Sequence, residues 1–183
     1  LRTVFSKSED ATLTAGNSTP LTDGAAAVLL ASEDWASENG LPVQAFITAS
    51  RTSAVDFIHD EGLLMAPTVA VAEMLQRTGL GLQDFDYYEI HEAYAAQVLC
   101  TLAAWESEAY CRDRLGLDQA LGAIDRDKLN VRGSSLAVGH PFAATGARIV
   151  GNLADILAHS PGRGLISVCT AGGMGVAAIM ESA

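Results

Sequence analysis

The chain has 183 residues, of which 49% are hydrophobic, and carries a formal net charge of −11 at pH 7. This length is enough for one sizeable core or for one domain and part of another, and the many small apolar residues favour close-packed α/β layers over disorder. The negative charge argues against nucleic acid or an anionic membrane as the main partner.

Cysteine usage and hydropathy indicate the compartment. The three cysteines have unrelated spacings, which predicts neither a disulfide framework nor a metal cluster and favours a reducing, cytoplasmic location. No apolar run is long enough for a transmembrane segment, and no signal peptide is recognisable. Because the first residue is Leu1 rather than Met, we expect the amino terminus to be a cut rather than a gene start.

The first 40 residues combine a loop with a short apolar run. Asn17 and Pro20 mark the loop, and residues 24–30 fit either a buried strand or a short helix. Residues 32–40 predict a solvated acidic helix that ends at its glycine. The apolar run also resembles residues 174–181 in its order of small and larger residues, which would make it the closing strand of a first repeat.

Strands and helices alternate in the middle of the chain. Residues 43–50 indicate a strand, and a proline begins a helix over residues 67–78. Aromatic and β-branched residues over 85–90 indicate a buried strand, followed directly by a helix that begins at His91. This places His91 where functional residues lie in open α/β sheets, although an ordinary first-turn residue is the alternative. Residues 105–128 are interpreted as a surface helix and linker.

The stretch 131–148 begins as a Gly- and Ser-rich turn and becomes a helix. We expect this helix to start at Pro141, because proline suits the first helical position. His140 would then lie at the helix N-terminus, where the dipole disfavours the protonated ring and leaves a neutral imidazole that can act as a general base. A turn residue that caps a carbonyl is the alternative interpretation.

Cys169 follows an apolar strand over residues 164–168 and precedes a Gly-rich turn. Such a turn presents backbone N–H groups, so we expect it to stabilise a thiolate and to bind a developing oxyanion. A buried structural cysteine is the alternative. His91, His140 and Cys169 at successive strand ends favour acyl chemistry, whereas their distance in sequence disfavours a metal site.

Four motifs, in this order, resemble those of the thiolase family. Its mid-chain motif and its three C-terminal motifs are matched by residues 17–27, by His91-Glu92-Ala93, by Gly139-His140-Pro141 with Gly146 and Arg148, and by Cys169 with Gly172, Gly173 and Gly175. The His-Glu-Ala form and residues 139–148 are most similar to fatty-acid-oxidation thiolases of the trifunctional-enzyme β-subunit type. Most other thiolases carry Asn where His91 stands.

The resemblance implies an α/β fold, a layered sandwich of two similar βαβαβαββ halves. Residues 1–40 would be the end of the thiolase N-terminal domain, including the last strand of that half, and residues 41–183 the thiolase C-terminal domain. The family cleaves 3-ketoacyl-CoA with coenzyme A in fatty-acid β-oxidation, or runs the reverse Claisen condensation. The resemblance therefore implies coenzyme A as a substrate, no resident cofactor or metal, a homodimer or homotetramer, and an α-subunit of β-oxidation as a further partner.

The resemblance also implies a role for each motif residue. His140 would activate a nucleophilic cysteine and help to hold the thioester oxygen, and Cys169 would be the acid and base at the α-carbon. His91 would complete a first oxyanion hole through a water molecule. The backbone N–H of Ala171 would contribute to a second oxyanion hole, at a position where the family often has Gly.

One expected residue is missing from the chain. The family's nucleophilic cysteine lies in its N-terminal half, and neither Cys100 nor Cys111 has the surroundings for that role. We therefore predict the C-terminal part of a 3-ketoacyl-CoA thiolase, with a non-catalytic half that only dimerises or docks as the alternative. A ketosynthase-like condensing enzyme is disfavoured because it would lack a catalytic cysteine at position 169.

Overall fold

A computed structural model describes residues 1–183. In chain order the helices and strands are α1 (Glu33–Glu38), β1 (Ala45–Ala54), α2 (Ala66–Thr78), β2 (Tyr87–Ile90), α3 (Ala95–Glu106), α4 (Glu108–Leu115), α5 (Ser135–Val138), α6 (Thr145–His159), β3 (Arg163–Thr170) and β4 (Met174–Ser182). A single 3-10 turn, Arg126–Lys128, precedes α5. None of the helices combines the length and the apolar character that a membrane span requires.

The four strands form one mixed sheet in the order β1-β4-β3-β2. The pairs β1–β4 and β4–β3 are antiparallel, whereas β3 and β2 are parallel. Helices α2 and α3 contribute to the core on one face, and α6 contributes to the core on the other. The predicted α/β class is confirmed, and the chain forms three layers with the sheet in the middle.

Apolar side chains on both faces of the sheet hold the layers together. On the first face, Trp105, Phe85 and Tyr88 are fully buried among residues of α2 and α3. On the second face, Ile149 and Leu153 lie four residues apart on α6 and pack over the sheet. Each such side chain stabilises the fold by about 1.5–3 kcal/mol through burial. The two cores therefore fix β2 and β3 firmly, and His91, Cys169 and Ala171 lie at the ends of these two strands.

The structure has one strand fewer than the βαβαβαββ order that the resemblance implies. In place of the third strand, Leu129 makes only an isolated parallel bridge to Tyr88 at the edge of β2. The next residue, Asn130, has a φ of 48° and turns the chain away. Its side-chain amide accepts a hydrogen bond from the Ile90 N–H and donates one to the Ile90 carbonyl. The Asn130 side chain thus pairs with the backbone N–H and carbonyl of Ile90, which a further strand would otherwise have bound.

The strand expected for residues 24–30 is also absent. The segment has neither helical nor strand hydrogen bonds, and Leu29 and Leu30 are 75% and 70% exposed. The prediction is wrong for this structure: the segment pairs with none of the four strands, although β1 lies at the edge of the sheet. An apolar cleft of about 630 Å³ separates residues 27–33 from β1 and α6.

Candidate functional site

His91 lies immediately after β2 and is 2% exposed. Its backbone N–H donates to the Ser167 carbonyl, so the pairing with β3 continues one residue beyond the strand. The helix predicted to begin here begins at Ala95 instead. The reason is that residues 93–95 run beside residues 17–19, where the N–H of Thr19 donates to the Ala93 carbonyl.

His140 follows α5 and precedes α6, but it does not lie at a helix N-terminus. The prediction of a helix from Pro141 is wrong, because α6 begins only at Thr145. The intervening Ala143 has a φ of 66°, which no helical residue adopts. The His140 side chain is nevertheless fixed, since its Nδ1 lies 2.6 Å from the Thr145 hydroxyl and leaves Nε2 for other partners.

The structure brings the two imidazoles together. The ring centres of His91 and His140 are 4.5 Å apart, with the ring planes inclined at 46°. Burial lowers the pKa of His91 to about 4, and repulsion from His140, when that ring is protonated, and from Arg148 adds to the effect. The pKa of His140 is also lowered, by burial and by Arg148 rather than by the helix dipole that the sequence suggested. Both rings are therefore neutral near pH 7.

Cys169 lies near the end of β3, next to the loop that carries His91, and its side chain is buried. Burial raises the pKa of the Cys169 thiol to about 11, although hydrogen bonds from the backbone N–H groups of Cys169 and Ala93 act in the opposite direction. Desolvation thus outweighs the backbone N–H groups, and the protonated thiol is favoured near pH 7. A neutral thiol at this position can donate a proton.

The turn after β3 presents Ala171 on the surface. The N–H of Ala171 donates to no acceptor within the chain, which leaves it available to a ligand. Gly172 and Gly173 have φ values of 88° and 74°. A Cβ at Gly173 would come within 2.6 Å of the Val55 carbonyl oxygen, so this turn requires glycine both for its φ and for its close packing.

The segment 17–21, which we call the tether, connects the loops of both histidines. The N–H of Ala95 donates to the Asn17 carbonyl, and the Thr19 hydroxyl donates to the Ser135 carbonyl at 2.8 Å. The N–H of His140 donates to the Pro20 carbonyl at 3.0 Å. The mid-chain motif of the sequence therefore has a structural role: it fixes the positions of the two histidine loops relative to each other.

A polar layer formed by Ser135, Arg148 and Glu89 lies beneath the two imidazoles. None of these residues had been assigned a role from the sequence. The Ser135 hydroxyl lies 3.0 Å from His91 Nδ1, and Arg148 donates to the same hydroxyl at 3.1 Å. Glu89 on β2 is 1% exposed, and burial raises its pKa to about 7. In the sequence, the signals of this layer were Glu89 within a run of aromatic and β-branched residues and Arg148 in the motif after His140.

The other cysteines and polar clusters lie apart from this site. Cys100 is exposed on α3, and Cys111 on α4 is buried against the carbonyls of Ala104 and Trp105. No group of three or more His, Cys, Asp or Glu side chains is arranged to hold a metal ion. The candidate site therefore comprises His91, His140 and the end of β3 with Cys169, which are groups that can transfer protons and form hydrogen bonds.

Comparisons with known proteins give a consistent family assignment. The family model of the thiolase C-terminal domain matches residues 41–182, and that of the thiolase N-terminal domain matches residues 1–34. A 3-ketoacyl-CoA thiolase of Aeromonas salmonicida is 48% identical over 171 residues, which are 93% of this chain and 39% of the relative. A 3-ketoacyl-CoA thiolase of Yersinia pestis is 44% identical over 99% of this chain and 41% of its own length.

Solved structures agree with the sequence comparisons. The acetyl-CoA acetyltransferase of Bacillus anthracis superimposes with a TM-score of 0.80 at 35% identity, over 100% of this chain and 41% of that one. The dimeric peroxisomal thiolase of Saccharomyces cerevisiae gives a TM-score of 0.76 at 38% identity, again over 100% and 41%. The chain thus spans about two fifths of the length of the relatives that it matches.

Proposed function

Since the chain belongs to the thiolase family, we propose that it is the carboxyl-terminal part of a 3-ketoacyl-CoA thiolase. The observation that carries this proposal is the approach of the His91 and His140 rings to 4.5 Å, beside the strand end that holds Cys169. Two neutral imidazoles and a neutral thiol are the groups that an acyl transfer with an enolate intermediate needs.

The proposed reaction divides the work among these groups. A cysteine thiolate attacks C3 of the 3-ketoacyl-CoA, the bond between C2 and C3 breaks, and the electron pair remains on C2 as the enolate of acetyl-CoA. Cys169 donates its proton to C2, and the acyl group then passes from the attacking cysteine to the sulfur of coenzyme A, whose proton restores Cys169. His140 accepts the proton of the attacking thiol and returns it when that cysteine is released, while His91 and the Ala171 N–H stabilise the oxyanions.

The attacking thiolate must come from outside this cluster. Cys111 is buried on the α2 side of the sheet, and Cys100 faces outward on α3. We propose that the nucleophile belongs to a part of the enzyme that the relatives possess and that this chain does not span. The same observation supports a second candidate, a non-catalytic half that contributes only dimerisation or docking.

Several finer features are part of the proposal. His91 in place of Asn supports the trifunctional-enzyme β-subunit type, with a role in β-oxidation and an α-subunit as partner. The dimeric yeast thiolase supports a homo-oligomer. Coenzyme A is proposed as substrate, as expected from the family. Three free cysteines support a reducing, cytoplasmic location.

The proposal is tested in the complete protein that carries this chain. His140→Ala and Cys169→Ala are each expected to lower thiolysis of acetoacetyl-CoA by coenzyme A by about a hundredfold or more, as is typical for loss of a general acid or base. The readout is kcat/KM, with circular dichroism to confirm folding. Unchanged rates in both variants would leave only the docking candidate.

A further inference from the structure

A chain of three polar side chains leads from the interior to His91. The guanidinium of Arg148 donates to the Ser135 hydroxyl at 3.1 Å, and the same hydroxyl oxygen lies 3.0 Å from His91 Nδ1. Ser135 and His91 are both buried, so water does not substitute for either contact. The Ser135 hydroxyl and His91 Nδ1 must therefore find their partners within the protein.

The direction of these hydrogen bonds follows from the chemistry of the groups. A guanidinium has only donors, so the Ser135 oxygen accepts from Arg148. Its own hydrogen then needs an acceptor, and the one acceptor within reach is His91 Nδ1. If Nδ1 carried a proton instead, the buried hydroxyl hydrogen would have no partner, which is energetically unfavourable. Nδ1 is therefore the acceptor, and the ring proton resides on Nε2.

Because the His91 ring is neutral, the position of its single proton determines which side of the ring can donate a hydrogen bond. Burial lowers the pKa of His91 to about 4, with His140 and Arg148 adding their repulsion, so the ring is neutral near pH 7. A neutral imidazole has a single N–H, on one nitrogen or the other. Only the tautomer with the proton on Nε2 can offer a hydrogen bond on the side of the ring away from Ser135.

We propose that Ser135 and Arg148 are positioning residues that hold His91 in the tautomer with its proton on Nε2, so that His91 is a hydrogen-bond donor to the substrate oxyanion. This inference rests on the proposed thiolase function. Within that function it assigns a task to two residues that touch no substrate. Ser135 selects the tautomer, and Arg148 orients the serine.

A double-mutant cycle in the complete protein tests the proposal. Ser135→Ala is expected to lower kcat for thiolysis by about tenfold to a hundredfold with little change in KM, because the favoured tautomer is lost. Ser135→Thr, which keeps the hydroxyl, restores the rate. In a His91→Asn background the same Ser135→Ala change is expected to have no further effect on kcat, since an amide donates from its nitrogen without any tautomer.

The matched control is the neighbouring Ser134, whose equally buried hydroxyl donates to the Ile90 carbonyl and contacts no imidazole. Ser134→Ala therefore removes the same atoms without touching the tautomer. A loss of kcat in Ser135→Ala that persists in the His91→Asn background, or that Ser134→Ala reproduces, would assign Ser135 a merely structural role and overturn the proposal.

A second readout does not depend on activity. Histidine labelled with 15N reports which ring nitrogen carries the proton, and we expect His91 to be protonated on Nε2 in the parent protein and to shift towards Nδ1 in Ser135→Ala. A parent ring protonated on Nδ1 contradicts the inference about Ser135 even if the enzyme is a thiolase. Full activity of His91→Ala together with the expected tautomer would instead contradict the proposed role of His91.

Discussion

The rings of His91 and His140 lie with their centres 4.5 Å apart, although each follows a different segment of the chain. Each ring has its own hydroxyl at Nδ1, Ser135 for the first and Thr145 for the second. Two neutral imidazoles at this distance avoid the repulsion that two cations would suffer. The hydroxyls therefore occupy Nδ1 of each ring and leave Nε2 for other partners.

Thr145→Val removes the hydroxyl next to His140 while keeping the shape of the side chain. We expect kcat for thiolysis to fall by about tenfold to a hundredfold, because the imidazole loses the contact that orients it. Thr145→Ser is the control, since it retains the hydroxyl and should retain most of the rate. Steady-state kinetics of both variants in the complete protein measure the effect. Equal activity of Thr145→Val and Thr145→Ser would contradict the orienting role of the hydroxyl.

The cysteines should differ in their reactivity. Burial raises the pKa of Cys169 to about 11, so at pH 8 its thiol is protonated and reacts slowly with iodoacetamide. Cys100, exposed on α3, should be alkylated first. Peptide mass mapping after short exposures measures the order of labelling. Faster labelling of Cys169 than of Cys100 would show that its thiol is ionised, contrary to the effect of burial.

Glu89 should make the stability depend on pH. Burial raises its pKa from 4.5 to about 7, so its contribution to stability is complete below pH 4.5 and is lost as the pH rises through 7. This corresponds to roughly 3 kcal/mol. Glu89→Gln removes the ionisation, so we expect the variant to match the parent near pH 4.5 and to be the more stable protein at pH 8. Thermal unfolding at a series of pH values measures the difference, and parallel curves would contradict it.

Gly175 at the start of β4 should not tolerate a side chain. A Cβ there would lie 2.5 Å from the backbone nitrogen of Pro67 and 2.7 Å from the Ala66 carbonyl carbon, at the beginning of α2. We expect Gly175→Ala to destabilise the protein by about 1–3 kcal/mol. Gly151→Ala in the middle of α6 is the matched control, because its Cβ meets nothing closer than 3.9 Å. It should stabilise the helix by about 0.5–1 kcal/mol, as urea denaturation of both variants would reveal.

The sequence was most informative where one motif determines one local conformation. The helix predicted over 67–78 is present as α2, with Gly79 in the left-handed conformation at its end. The buried strand that leads to His91 is present as β2, although it begins two residues later than expected. In both cases the pattern of apolar residues and the glycine or proline at the boundary act locally.

The predictions failed where distant segments determine the backbone. Nothing within the stretch 140–148 reveals that the His140 N–H donates to the Pro20 carbonyl, or that the helix begins only at Thr145. The burial that raises the pKa of Cys169 likewise depends on packing between strands rather than on the glycines that follow it. Ser135 was hidden in a Gly- and Ser-rich turn, where serine usually serves only the backbone.

The tether, residues 17–21, touches both histidine loops but belongs to no helix or strand. Its hydrogen bonds lie near the surface, whereas the sheet is secured by two buried cores. Local fraying of this segment therefore costs less than opening the sheet, and it would release both imidazoles at once. Heat should accordingly abolish the proposed activity below the temperature at which the sheet unfolds. Cooling should restore the activity as residues 17–21 form their hydrogen bonds again.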